Sequence, residues 1–312
     1  MATPREVVLI TGMGGGLAQL VGAELAGRGK EVVGVDYRPV PEPLSFPVTL
    51  YQANYNKTRI EDVFRRHRPT QVLHLGRVGN LKERMGKRFD LNVVGSRKLL
   101  DLCLKYEVRR LLVLSTFHIY GAHPSNHIPI YEEEPLRAGI DFPQIADAIQ
   151  LDTQTLLWIY RHPEVKTALL RPTNVVGPHL RNAMSTALRL PWLPAMIGFD
   201  PMVQFIHERD LTSAICTAAE SDATGVFNLS GTPPLPWRRA LSLTGARLIP
   251  LPAGAVMAYL RVSSLFGPTF PPYLVNFFKY PCIISDQAFR QTFHWTNRVG
   301  EVDCIRSTIE RV

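Results

Sequence analysis

Cysteine is sparse and unpatterned in this chain of 312 residues. The four thiols, Cys103, Cys216, Cys282 and Cys304, form no Cys-x-x-Cys pair, which argues against a zinc site and a disulfide framework and leaves buried reduced thiols as the expectation. No metal site is expected. Also missing is an unbroken apolar run that could cross a bilayer. The longest apolar region, 248–284, is interrupted by Arg261, Lys279, Pro250, Pro252, Pro268, Pro271, Pro272 and Pro281, and its pieces are too short for about 30 Å of hydrocarbon. Helical pieces covering a pocket are expected there, with an interfacial membrane patch as the alternative. The early apolar run, 6–10, is too short for a signal peptide and reads as a strand, so a cytoplasmic protein is expected. Internal repeats and low-complexity segments are absent. Segregated charge is absent too: 35 Lys and Arg against 27 Asp and Glu leave +8, but the basic residues are scattered among acids, which does not point to nucleic acid.

What is present begins in the first forty residues. Glu6-Val-Val-Leu-Ile10 leads into Thr11-Gly-Met-Gly-Gly-Gly-Leu-Ala18, a helical pattern over 17–28 follows, and a second apolar run ends at Asp36. A strand, a glycine cluster opening a helix and an acid about twenty residues later are the parts that hold a dinucleotide. Gly12 can turn sharply off the strand and Gly15 lets backbone N–H groups approach a pyrophosphate. Ala18 is small enough for close packing of the helix on the sheet.

Short apolar runs then alternate with amphipathic stretches. Strands are predicted at 7–10, 32–35, 48–51, 71–75, 110–115 and 166–170, and helices at 17–28, 60–66, 89–106 and 147–161. This is the pattern of an α/β fold with a doubly wound parallel sheet, whose ligand lies at the carboxyl ends of the strands. From Gly177 onward prolines and aromatics rise. The predicted division is therefore a dinucleotide-binding portion over 1–176, to which 204–230 return, and a smaller substrate-covering portion over 177–203 and 231–312.

With these strand ends in place, the chain resembles the extended short-chain dehydrogenase/reductase superfamily, in particular its NAD-dependent epimerase/dehydratase group. The resemblance rests on ordered motifs: Thr11-Gly-x-x-Gly-x-x-Ala18, Asp36, Val72-Leu-His-Leu-Gly76, Leu91-Asn-Val-Val-Gly95, Ser115-Thr-Phe-His-Ile-Tyr-Gly121, Leu170-Arg-Pro-Thr-Asn-Val-Val-Gly-Pro178, Phe205-Ile-His-Glu-Arg-Asp210 and the closing stretch 286–295. It implies a Rossmann-like fold and a cofactor site built from Thr11, Gly12, Met13, Gly14, Gly15, Gly16, Leu17, Asp36, Tyr37, Arg38, Asn54, Tyr55, Leu75, Gly76, Arg77, Asn92, Ser115, Pro172 and Thr173. It also implies Thr116 as a catalytic hydroxyl, Asn174 and Arg181 at the substrate cleft, and a homodimer formed through the helices at 89–106 and 147–161; His207 is expected to fix the strand-helix junction or to touch substrate. Asp36 favours NAD over NADP, because a carboxylate accepts from ribose hydroxyls and repels a 2′-phosphate. Arg38 could soften that preference or simply be solvated. Asn54 stands where the family commonly has an Asp that contacts adenine.

The departure from the family is as informative as the matches. Its enzymes use a Tyr and, four residues later, a Lys that lowers the Tyr pKa and holds the nicotinamide ribose. Here Gln144 aligns with the Tyr and Ala148 with the Lys, and Tyr-x-x-x-Lys occurs nowhere in the sequence. Hydride transfer by the usual route is then expected to be crippled or absent unless another group moves the proton. His118, two residues after Thr116, is the first candidate for both catalysis and substrate contact, since histidine titrates near neutral pH; a packed or surface histidine is the alternative. Asp147 reads first as a helix-capping acid and Tyr131 as a loop aromatic.

The basic stretch 77–88 could clamp a phosphate or carboxylate or be a solvated loop, while 191–194 and 265–278 argue for a greasy ligand portion. The expected partner is a small molecule, anionic with an apolar part. Two readings stay open: an enzyme of atypical mechanism acting with NAD, and a non-catalytic NAD-binding regulator or sensor.

Overall fold

Val7–Thr11 is buried along its whole length, and a strand with no solvent face belongs inside a parallel sheet covered on both sides. The computed structural model describes residues 6–40, 43–79, 83–256, 258 and 272–310. In chain order the first half comprises β1 (Val7–Thr11), α1 (Gly16–Gly27), β2 (Glu31–Asp36), β3 (Thr49–Gln52), α2 (Thr58–His67), β4 (Gln71–His74), α3 (Met85–Phe89), α4 (Ser96–Lys105), β5 (Arg110–Leu114), α5 (Ala138–Asp141) and α6 (Ala146–Arg161). The second half comprises β6 (Lys166–Pro172), β7 (Asn174–Val176), α7 (Ala183–Leu188), β8 (Trp192–Met196), β9 (Met202–Val203), β10 (Phe205–His207), α8 (Glu208–Ala219), β11 (Gly225–Leu229), β12 (Leu235–Pro236), α9 (Trp237–Thr244), β13 (Arg247–Leu251), α10 (Gln287–Phe293) and α11 (Glu301–Ile309).

Seven strands form one sheet in the order β11-β6-β5-β4-β1-β2-β3, every neighbouring pair parallel. The expected doubly wound sheet is thus observed, with β11 extending it by one strand beyond the six drawn from periodicity. The strand order reverses between β1 and β4, which makes the crevice beyond Thr11 and His74 the switch point of the fold. Those two residues face each other in register.

Alternation of side chains along each strand sends one set to each face. Val8, Ile10 and Leu73 pack with Ala18, Val21 and Leu25 of α1 and Leu211 and Ile215 of α8. Leu9, Val33 and Val72 pack on the other face with Ile60, Phe64, Leu99 and Trp158. A separate cluster gathers Leu188, Leu193, Phe205, Trp237 and Ile305, away from the sheet. All four cysteines are free and buried, and burial pushes the Cys216 thiol up to about 12.

The helix expected over 89–106 is observed as an unbroken helical run from Met85 to Lys105, with a π turn inside it. Asp90–Gly95 forms a widened π-helical turn between α3 and α4, which brings the consecutive residues Leu91, Asn92 and Val93 into the interior; a regular helix would turn one of them outward. No described helix is long and apolar enough to cross a membrane. Of the late apolar region, 257 and 259–271, with Arg261 and the first part of 265–278, lie outside the described residues.

Candidate functional site

The glycine cluster forms the turn from β1 to α1. Gly12 has φ of 79°, and a Cβ there would lie 2.5 Å from the Gly76 Cα, so the backbones leaving β1 and β4 meet where no side chain fits. The Gly12 N–H donates to the Val35 carbonyl at 2.8 Å and faces the Tyr55 hydroxyl at 3.1 Å. Gly15 caps α1 in an extended conformation, with no capping side chain and no acid in the first turn. The first N–H groups of that helix therefore lack side-chain acceptors, and the positive end of its dipole is left for an external anion. The loop after β7 lies close by: a Cβ on Gly16 would sit 2.6 Å from the His179 carbonyl oxygen. Met13 points the other way and is fully buried in the core.

Asp36 ends β2 with only 1 % exposure. One carboxylate oxygen accepts from the Gly14 N–H at 2.9 Å, and the other accepts from the Arg38 N–H at 2.9 Å and its Nε at 3.4 Å. A carboxylate offers about four acceptor directions, so capacity for hydroxyl donors remains. Arg38, half-exposed, stacks its guanidinium over Tyr37 at 5.3 Å. Burial and the Asp36 charge raise the Tyr55 pKa, which keeps that phenol neutral. The Asn54 side-chain oxygen accepts from the Asn56 N–H at 3.2 Å, a local turn bond.

Thr11 Oγ1 lies 2.7 Å from His74 Nδ1 and accepts from the Gly76 N–H at 3.1 Å. His74 Nε2 in turn meets Ser96 Oγ at 2.7 Å. This buried relay ties β1 to β4 and α4. Burial lowers the His74 pKa to about 4. Leu75 and Gly76 follow directly at the strand end.

Beyond β5, Ser115 departs from its expected role. Its hydroxyl donates at 2.6 Å to Asp152, which also pairs bidentately with Arg171 at 3.0 and 2.7 Å; Ser115 thus anchors an internal ion pair. Thr116 caps the 3₁₀ turn Phe117–Tyr120, and its Oγ1 lies 2.8 Å from His118 Nδ1. The His118 ring packs against Phe117 and Phe277, with centroids at 4.3 and 4.9 Å, while part of the residue opens onto a pocket. Burial, with a smaller push from the Arg77 charge, lowers its pKa to about 3. At neutral pH such a ring is uncharged, and its aromatic neighbours match the packed-histidine alternative.

The aligned Tyr and Lys positions fare differently from each other. Gln144 is exposed, whereas Ala148 is 1 % exposed in an apolar cluster with Ile119, Phe142 and Ile145. Asp147 is not a cap. Its carboxylate is buried between Arg88 Nη2 at 2.5 Å and Asn92 Nδ2 at 2.6 Å. Arg88 also donates to the Gln144 carbonyl at 2.6 Å, and Asn92 spends the rest of its amide on the backbone of Val78. Asn92 thus fixes the chain after β4. Arg88 escaped the sequence reading because it lies among five basic residues between 77 and 88; its i, i+4 spacing to Asn92 was the one available cue.

The remaining expected residues, Pro172 and Thr173 for cofactor and Asn174, Arg181 and His207 for substrate, lie as follows. Thr173 Oγ1 and Asn174 Nδ2 both donate to the Gln204 carbonyl at 3.0 Å. His207 caps α8, accepting from the Arg209 N–H at 3.2 Å, and its Nε2 meets Ser307 at 3.0 Å; with both nitrogens occupied and 3 % exposure, it holds a strand-helix junction. Pro172 closes β6 opposite Leu229. Arg181 is exposed on the surface, and Tyr131 is an exposed loop residue beside His127. The structure brings Arg77, Thr116 and His118 together in one pocket, joined by Arg88 and Ile145.

Fold and crevice together define a doubly wound α/β protein of the Rossmann type. A model of the NAD dependent epimerase/dehydratase family matches residues 8–230, and the chain belongs to that family, within the extended short-chain dehydrogenase/reductases. It is 29% identical over 172 residues to an uncharacterized protein of Mycobacterium tuberculosis, covering 54% of this chain and 45% of that one. It is 27% identical over 241 residues to short-chain dehydrogenase/reductase family 42E member 1 of Xenopus laevis, covering 70% and 59%. The chain thus spans about half the length of these relatives. The solved UDP-glucose 4-epimerase of Thermus thermophilus, in complex with NAD, superposes with a TM-score of 0.75 at 21% identity over 97% of both chains, a likeness of fold.

Proposed function

We propose that this chain binds NAD at the carboxyl ends of β1, β2 and β4 and acts on a small anionic substrate, in the manner of the sugar-nucleotide enzymes it resembles, with the Tyr and Lys pair replaced. The carrying observation is the Gly14–Asp36 hydrogen bond beside an uncapped α1. It sets a helix N-terminus for phosphates and a carboxylate for ribose hydroxyls side by side. The N–H groups of Gly16 and Leu17 would face the pyrophosphate and Asp36 the adenosine ribose. The buried negative charge favours NAD over NADP. Bound nicotinamide would supply hydride chemistry. Thr116 would orient a substrate oxygen, with neutral His118 fixing its hydroxyl and solvent exchanging the proton.

A second reading, a non-catalytic NAD-binding regulator, is favoured by the apolar surroundings of Ala148 and the uncharged His118. Calorimetry with NAD tests the shared part, and absence of binding overturns both readings. Incubation of the NAD-loaded protein with UDP-sugars, followed by nicotinamide absorbance and product analysis, separates them. Turnover supports the enzyme; bound NAD that never changes state supports the regulator. Exposed Val94, Leu157 and Tyr160 on the outer side of the π turn and α6 support a homodimer, which light scattering tests.

A further inference from the structure

β8 and β13 pair as a two-stranded parallel unit outside the seven-stranded sheet. Its two sides have different fates. Leu193 and Leu248 are partners in register and pack on one side with Phe205, Trp237 and Ile305. Alternation turns Trp192, its partner Arg247 and, two residues on, Ile249 to the other side. There Trp192 is 51 % exposed and Ile249 41 %. Leu190 and Ile197, which flank β8, are exposed to a similar degree, and the Ile197 N–H donates to the Leu251 carbonyl at 3.0 Å, which holds it at the end of β13. Single exposed apolar residues are ordinary; four at one two-stranded unit, a tryptophan among them, mark a contact surface.

The charge around that surface is one-sided. Acids and bases interleave along the chain, but the fold sorts them: the stretch 204–230, which carries Glu208, Asp210, Glu220 and Asp222, returns to the main sheet through α8 and β11. The described residues of 177–203 and 231–285 then keep Arg181, Arg189, Arg238, Arg239, Arg247 and Lys279 against a single acid, Asp200. Two of these cations are committed, Arg189 to backbone carbonyls and Arg239 to Glu301, and a carboxylate oxygen of Asp200 is taken by the Arg238 N–H at 2.9 Å. Arg247 is exposed beside Trp192, and Lys279 lies over the Phe199 ring at 5.9 Å, two residues from Ile197.

We propose that this face docks on an anionic lipid surface: Leu190, Trp192, Ile197 and Ile249 enter the boundary between headgroups and acyl chains, and Arg247 and Lys279 meet lipid phosphates. An indole with one polar edge suits that boundary. Arginine and lysine lay their apolar stems along it while their charges stay among the headgroups. The surface favours lipid over a protein partner. Four half-exposed side chains offer a few hundred Å² at most, short of the roughly 800 Å² per partner of a specific protein interface, whereas each inserted apolar group and each nearby cation adds separately to bilayer affinity. The docking is independent of NAD binding and of the function proposed above.

The test uses the full chain with large unilamellar vesicles of phosphatidylcholine, alone or with phosphatidylserine as a quarter of the lipid. The protein is expected to sediment with the phosphatidylserine vesicles, to stay in solution with phosphatidylcholine alone, and to be released by added sodium chloride. Trp158, Trp237 and Trp295 are at most 5 % exposed, so quenching of fluorescence by bromine-labelled lipid reports insertion of Trp192. Trp192→Ser/Ile249→Ser should weaken vesicle binding about tenfold, and Arg247→Gln about fivefold at low salt; all three positions are at the surface, and melting temperature checks that the variants fold. Absence from the phosphatidylserine pellet, equal binding to phosphatidylcholine alone, binding without quenching, or undiminished binding of either variant would each overturn the proposal. So would self-association in light scattering, without lipid, that Trp192→Ser/Ile249→Ser abolishes, since that gives the face to a second copy of the chain. If the double variant does not fold, quenching in the unsubstituted protein decides.

Discussion

Arg88 of α3 and Asp147 of α6 meet in the interior at 2.5 Å, both almost wholly buried. The cation nearest the expected proton-transfer position thus arrives from the helix after β4, while position 148, where the family places its lysine, is closed by apolar side chains. Removing one partner of a buried pair strands the other charge. Arg88→Met is expected to lower unfolding free energy by about 3–5 kcal/mol, and Arg88→Met/Asp147→Asn to recover more than half of that loss. Urea denaturation of the three proteins gives the comparison; equal stability of the single and double variants would contradict it.

The same packing governs any attempt to rebuild the family's pair. Ala148→Lys drives a long charged side chain into the cluster of Ile119, Phe142 and Ile145. Overpacking alone costs about 1–3 kcal/mol, and the desolvated ammonium adds to it. The expected outcome for Gln144→Tyr/Ala148→Lys is a less stable protein with no gain in NAD retention. A rise in melting temperature would show that the helix can accommodate the lysine.

Asp36→Ala removes the acceptor of the Gly14 and Arg38 N–H groups along with the carboxylate proposed for the ribose. NAD affinity is expected to fall by more than about 1 kcal/mol, roughly five- to tenfold. Calorimetry on both proteins decides, and an unchanged Kd would remove Asp36 from the cofactor site.

His74 gives a pH signature. Its folded pKa, about 4, lies below its ordinary value of 6.5 because burial disfavours the charged ring. The unfolded chain therefore binds more protons between those values, and stability from the neutral ring is fully present above pH 6.5 and lost as pH falls toward 4. The expected slope is up to about 1.4 kcal/mol per pH unit in that window. Urea midpoints at pH 7, 6 and 5 should fall less steeply in His74→Gln than in the wild type; parallel slopes would assign the acid sensitivity elsewhere.

Much of the fold was legible because its signals are local. The β-branched runs, the glycine cluster and Asp36 each act over a few residues, and the structure places them in the expected order around the switch point. The π turn at Asp90–Gly95 was not legible, since a helical period tolerates one extra residue without visible change in pattern. Asp147 looked like a cap because an acid in a first turn usually is one; only the approach of Arg88 from 59 positions earlier made it a buried partner. Ser115 sat in a family motif, yet Asp152 took up its hydroxyl, whereas the junction role read for His207 is the one the structure shows.

By itself, the sequence determined the class of fold, the position of the switch-point crevice and the loss of the Tyr-x-x-x-Lys pair, since each depends on residue type at short spacing. Only the tertiary structure decided the packing of His118 against Phe117 and Phe277, the closure around Ala148 and the choice of Arg88 among several neighbouring cations. Those properties depend on desolvation and on which distant groups arrive within hydrogen-bond reach, and neither is encoded in local pattern.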